Sequence, residues 1–140
     1  MQNRIHVGAT ALALIVLVGC APRPTAQIAT TATVTVDGND ARFNIVNCKQ
    51  VEWYRTIHIG GDFAGATVQV DGRREPVTVA SVRIQNVRGF TGMYSEGDGS
   101  EPAKVGLSSG KFTISGSAHG STTDKPNEPA TATFKIFVTC

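Results

Sequence analysis

The sequence predicts an all-β domain, an antiparallel sandwich or barrel-like sheet of about eight short strands with room for one short helix and one disulfide. Three observations carry this. Apolar and polar residues alternate with a period of two through most of the chain after residue 32, β-branched residues dominate the alternation, and Asp-Gly and other turn signals separate the runs. No longer window there has helical spacing, and only Lys49 to Arg55 has room for a turn or two of helix.

Taken in order, Val34 and Val36 alternate with Thr33 and Thr35, Ile57 and Ile59 flank His58, and Val68 and Val70 flank Gln69. Val77 and Val79 flank Thr78, and Val82 and Ile84 flank Arg83. Val105 with Leu107, Phe112 with Ile114, and Phe134, Ile136 and Val138 complete the set. Each run reads as a half-buried strand. Asp37-Gly38 and Asp71-Gly72 both follow a Thr-Val-x-Val run, and an Asp-Gly pair suits the positive-φ positions of a tight hairpin turn. Ser95 to Glu101 and Ser121 to Pro129 read as loops.

Composition bounds the function. Of 140 residues 17% are charged and 41% hydrophobic, enough to bury a core, and a net charge of +2 is too small for a nucleic-acid binder. The first twenty residues are not fold. Arg4 and the free amine precede an apolar run from Val7 to Val18, too short to span a bilayer, which ends Leu17-Val18-Gly19-Cys20. A small residue before a cysteine at the end of such a run has the lipobox pattern of bacterial lipoproteins. Residues 1–19 thus read as a lipoprotein signal peptide and Cys20 as the lipidation site, joined to diacylglycerol after cleavage. Two or more acyl chains hold a small domain to a membrane where one would be marginal. The expected location is the outer face of the cell membrane.

Residues 20–32 read as the lipidated cysteine and a Thr/Ala/Pro-rich tether, and residues 33–140 as the domain. With Cys20 acylated, Cys48 and Cys140 remain, and in an oxidising compartment they should pair. Cys140 is in phase with Phe134, Ile136 and Val138, so its sulfur points to the core face. Val46 shares the face of Cys48 unless a bulge intervenes. The alternative, a free or metal-binding thiol pair, has no further ligands at zinc spacing.

The lipobox LVGC, the Thr/Ala spacer, VTVDG, IVNC, IHIGG, VASVRIQNV, KFTISGSAHG and the terminal FKIFVTC together resemble the mycobacterial 19 kDa lipoprotein antigen family. The resemblance covers nearly the whole mature chain. It implies Cys20 as the acylated residue, Cys48 with Cys140 as the disulfide, envelope exposure, recognition by host innate immune receptors, and adhesion to host cells. It implies no catalytic residue and no cofactor. The chain departs from the family pattern in its short spacer and in Val51-Glu52-Trp53-Tyr54-Arg55.

Little in the chain looks catalytic. His58 lies between two isoleucines and faces outward, His119 follows a strand that ends at Ala118, and GFTGMYSEG supplies no Gly-x-Ser-x-Gly elbow. Glu96, Asp98 and Glu101 lack a calcium-loop pattern and read as a solvated loop. Arg73-Arg74 reads as a hairpin tip. The remaining candidates are Trp53, Tyr54, Phe63, Phe90, Met93 and Tyr94, either core or the lining of an apolar cleft for an envelope lipid or glycolipid. Phe137, out of phase with its strand, is a further exposed apolar candidate.

Overall fold

The structure, a computed structural model, describes Gly19 and residues 31–140. Residues 1–18 and 20–30, which hold most of the expected signal peptide, Cys20 and most of the expected tether, lie outside the described residues. Ten strands follow in order: β1 (Ala32–Val36), β2 (Asn39–Phe43), β3 (Val46–Val51), β4 (Tyr54–Gly60), β5 (Gly65–Asp71), β6 (Thr78–Val87), β7 (Phe90–Ser95), β8 (Lys104–Ser108), β9 (Lys111–Thr122) and β10 (Lys125–Thr139). They form one antiparallel sheet in the order β2-β1-β10-β9-β7-β6-β5-β4-β3, with β8 paired to the first half of β9. The all-β antiparallel prediction holds, with ten strands rather than eight.

Closure comes from a bend. The two outermost strands of the order, β2 and β3, are consecutive in the chain and joined only by Asn44 and Ile45. Together they make one bent ribbon that pairs with β1 before the bend and with β4 after it. The Ile45 carbonyl at the bend accepts a bond of 2.9 Å from the Gly60 N–H. Across the remaining gap Cys48 of β3 is bonded to Cys140 after β10, with Cα atoms 5.9 Å apart. The result is a nearly closed barrel.

The period of two carries through to the interior. Even-numbered residues of β1, β9 and β10, among them Val34, Ile114, Phe134 and Ile136, point inward with Ile57, Val68 and Val82 from the facing strands. Val46 and Cys48 share the inner face of β3, as the sequence leads one to expect. β6 departs from the rule. Val79 and Val82 are both buried at odd spacing, as are Ile84 and Val87, because the register shifts opposite Gln69 and Val70 and again between Ile84 and Val87. Two apparent strands are therefore one bulged strand.

Local expectations divide. Asp37-Gly38 makes the two-residue hairpin between β1 and β2, with φ of 47° and 82°. The stretch from Lys49 to Arg55 is not helical but a hairpin, in which Val51 faces Tyr54 across a turn of Glu52 (φ 53°) and Trp53. The residues 121–129 expected as a loop instead extend β9 and β10, joined by a turn at Thr123 and Asp124. Gly92 of β7 faces Gly120 of β9, where a Cβ on Gly120 would overlap the Thr91 carbonyl oxygen.

Asp71-Gly72 also departs from expectation. Asp71 ends β5, and a loop of residues 72–77 leads to β6. Its buried carboxylate accepts bonds from the Arg73 backbone N–H (3.0 Å) and from Arg73 Nε (2.9 Å). The Arg73 side chain holds the carboxyl pKa below the usual aspartate range, and the Arg73 N–H adds to it. The backbone N–H of Ser100 does the same for Asp98. A depressed folded-state pKa stabilises fully above the unfolded value, about 3.9, and is lost as pH falls through the folded one. Stability in urea is therefore expected to drop below about pH 4. Asp71→Asn should lower the urea midpoint at neutral pH and differ less from the parent in acid, and an undiminished gap in acid would contradict it.

Candidate functional site

The six aromatic and methionine candidates do not share a cleft. Phe90 and Tyr94 are 2% and 1% exposed and fill the core. Met93 sits between them in register but on the outer face, since neighbouring residues of a strand point to opposite sides. Trp53 precedes β4 and Phe63 follows it, so the seven-residue strand keeps them roughly 20 Å apart. Phe63 stands 89% exposed in the β4–β5 loop. Tyr54 is half-buried beneath the Arg73 guanidinium, 5.2 Å from the ring centroid. Of the two readings, core or cleft lining, Phe90 and Tyr94 follow the first, while alternation and chain distance scatter the other four.

One of the six does line an opening. A slot of about 180 Å³ lies between the β3–β4 hairpin and the β8–β9 hairpin, walled by Trp53, Val70, Val77, Leu107 and Phe112 and floored by Gln50 and Arg55. Gly72 closes one side, its N–H donating to the Trp53 carbonyl at 2.8 Å. Leu107 faces inward opposite Phe112, yet at the margin of the barrel it remains 52% exposed, much like Trp53 at 53%. Arg55 lies over Phe112 with its guanidinium carbon 5.3 Å from the ring centroid, and its Nε donates to Gln50 Oε1 at 2.9 Å. Among the described residues no carboxylate stands within salt-bridge distance of Arg55. Period-two reading places Leu107 and Phe112 on one face, but their approach to Arg55 depends on the barrel closing, which no local signal announces.

The two histidines among the described residues, His58 and His119, lie on the outside of the barrel. Following hydrogen-bonded neighbours from β3 to β10, a single row runs Asn47, His58, Thr67, Arg83, Met93, His119 and Thr131. His58 faces outward as expected, with Nδ1 3.3 Å from Thr67 Oγ1. His119 lies within β9, which continues four residues past Ala118 to Thr122.

Its Nε2 is 2.8 Å from Ser100 Oγ and its Nδ1 is 3.0 Å from Thr131 Oγ1. Ser100 escaped the sequence reading because nothing local marks it as a partner of His119. A Ser-His contact invites comparison with a nucleophile and its base. Here the group orienting the imidazole is a hydroxyl, which cannot stabilise an imidazolium as a carboxylate does. Asp98, the nearby acid, accepts instead from the backbone N–H groups of Ser95 (3.3 Å) and Ser100 (2.8 Å). Ser100 and His119 thus pin the β7–β8 loop to β9. Ser100→Ala is expected to destabilise by about 1 kcal/mol, and the parent is expected to show no labelling by a fluorophosphonate. Covalent labelling at Ser100 would overturn this.

Among the described residues no group of three or more His, Cys, Asp or Glu is arranged to hold a metal ion. The chain belongs to the Mycobacterium 19 kDa lipoprotein antigen family, whose profile matches residues 25–140. It is 57% identical over its full length to a putative lipoprotein of Mycobacterium avium subsp. hominissuis, covering 97% of that protein. The probable lipoprotein LppE of Mycobacterium tuberculosis H37Rv is 33% identical, with both chains fully covered. Lipoprotein LpqH of the same strain is 35% identical over 76% of this chain and 67% of its own.

Proposed function

We propose that this chain is a non-catalytic cell-envelope lipoprotein, held to the outer face of the cell membrane by acyl chains on Cys20, whose β-domain is a surface antigen that meets host cells. The observation that carries the reading is LVGC at the end of a short apolar leader, directly ahead of a domain of a lipoprotein antigen family. Cys20 to Thr31 spans at most roughly 40 Å, so the domain stays close to the membrane surface. Host innate immune receptors would read the lipid, and the domain would add contacts of its own. Cys20→Ala is expected to abolish fatty-acid labelling in a mycobacterial host and to leave uncleaved precursor. Unchanged labelling would sink the proposal.

A lipid or glycolipid carrier is the other reading of the aromatic residues. Phe90 and Tyr94 pack the interior instead of lining a cavity, and the slot at Trp53 is smaller than the roughly 300 Å³ at which small-molecule pockets begin. The anchored antigen is therefore preferred.

A further inference from the structure

We infer that the slot end of the barrel faces the membrane, with Arg55 taking the phosphate of an anionic phospholipid while Trp53 and Leu107 seat at the interface; this rests on the acylation of Cys20. Three independent features converge there.

The first is the state of Arg55. A half-buried guanidinium over an aromatic face, with one neutral amide partner and no carboxylate among the described residues, is short of the anion that its planar fork matches. Arg55 is the one charged residue among the described residues that line the slot. The second is the rim. Trp53 and Leu107 expose half of their surface around the slot, and an amphipathic indole with an aliphatic neighbour suits the boundary between headgroups and acyl chains.

The third is where the tether joins. Ala32, at the start of β1, pairs with Val138, which pairs with Phe112, which pairs with Leu107. Neighbouring strands lie about 4.8 Å apart, so Ala32 lies about 10 Å from Phe112 in the slot wall. The chain leading to the anchor leaves from the margin that carries the slot. A tether of at most roughly 40 Å keeps that margin within reach of the bilayer, and tethering raises the effective concentration of lipid around it enough for a weak contact to be occupied.

Trp53 is the only tryptophan in the chain, so its fluorescence reports this contact alone. The acylated full-length protein would be reconstituted into phosphatidylcholine vesicles with and without phosphatidylglycerol, flotation recorded, and Trp53 emission and quenching by spin-labelled lipid measured. The expected result is flotation in both, with a blue shift and quenching of Trp53 that strengthen with phosphatidylglycerol and lose that dependence in Arg55→Gln. Leu107→Asp, on the exposed rim, should weaken the shift without altering the circular dichroism spectrum, and serves if Arg55→Gln folds poorly. Flotation with Trp53 emission unchanged from detergent would overturn the docking and leave the acyl anchor standing. Failure of the acylated protein to float would overturn both. A shift indifferent to phosphatidylglycerol would overturn the role of Arg55.

Discussion

Reducing the Cys48–Cys140 bridge is expected to lower the stability of the domain by about 4 to 5 kcal/mol. The bonded cysteines are 92 residues apart, and opening the bridge returns to the unfolded chain the entropy that closing a loop of that length removed, which gives this figure. For a domain of this size it corresponds to a fall in Tm on the order of 15–20 °C. Few groups would compensate. The bridge spans the gap that β3 leaves, and the hydrogen bond from the Cys140 N–H to the Gly110 carbonyl, 3.0 Å long, reaches only the β8–β9 turn. Thermal unfolding with and without reductant would measure the effect, and Cys48→Ser with Cys140→Ser should reproduce it without reductant. A loss below about 1 kcal/mol would mean that the unfolded chain is already held compact, which would defeat the entropic account.

The second large effect is expected at Tyr94. Its ring is 1% exposed and meets Phe134 at a centroid distance of 6.4 Å, while its hydroxyl accepts the Ala103 N–H at 3.0 Å, just ahead of β8. Tyr94→Ala should cost about 3 to 5 kcal/mol through lost contacts and a cavity between β7 and β10. Tyr94→Phe keeps the ring and orphans the Ala103 N–H, and should cost about 1 to 2 kcal/mol. Urea unfolding of the two variants separates ring from hydroxyl. Equal losses would place the whole effect in the hydrogen bond and contradict the packing account.

The class of fold was legible because burial on one face leaves a period of two in Val34, Val36, Phe134, Ile136 and Val138. The Cys48–Cys140 bridge was legible for a different reason, since these two thiols remain once Cys20 is acylated. Three features left weaker traces. β2 exposes both faces for much of its length and so carries no alternation. The β6 bulges reverse its inward face midway, which splits the pattern in two. The Glu52–Trp53 turn lacks the glycine or asparagine that signals a hairpin, and the stretch around it could pass for helix.

The site was less legible than the fold. Six large apolar residues read as either core or the lining of one cleft, yet Met93 and Tyr94 face opposite ways, and Trp53 and Phe63 sit at opposite ends of β4. Burial and exposure there follow from strand phase, which could be read. Which strands meet across the barrel could not, and Arg55 over Phe112 and Ser100 on His119 both depend on that.

The pairing of β1 with β10 sets an order of events for the living chain. Val34, paired on one side with Ala41, finds its other partner in Ile136, about a hundred residues later, and the sulfur that completes the bridge follows that strand. Until β10 has been made the first strand has half its hydrogen bonds open, although β1 with β2 and the meander from β3 to β7 pair between sequence neighbours and need nothing from it. The barrel closes last, when β10 lies between β1 and β9 and Cys140 reaches Cys48.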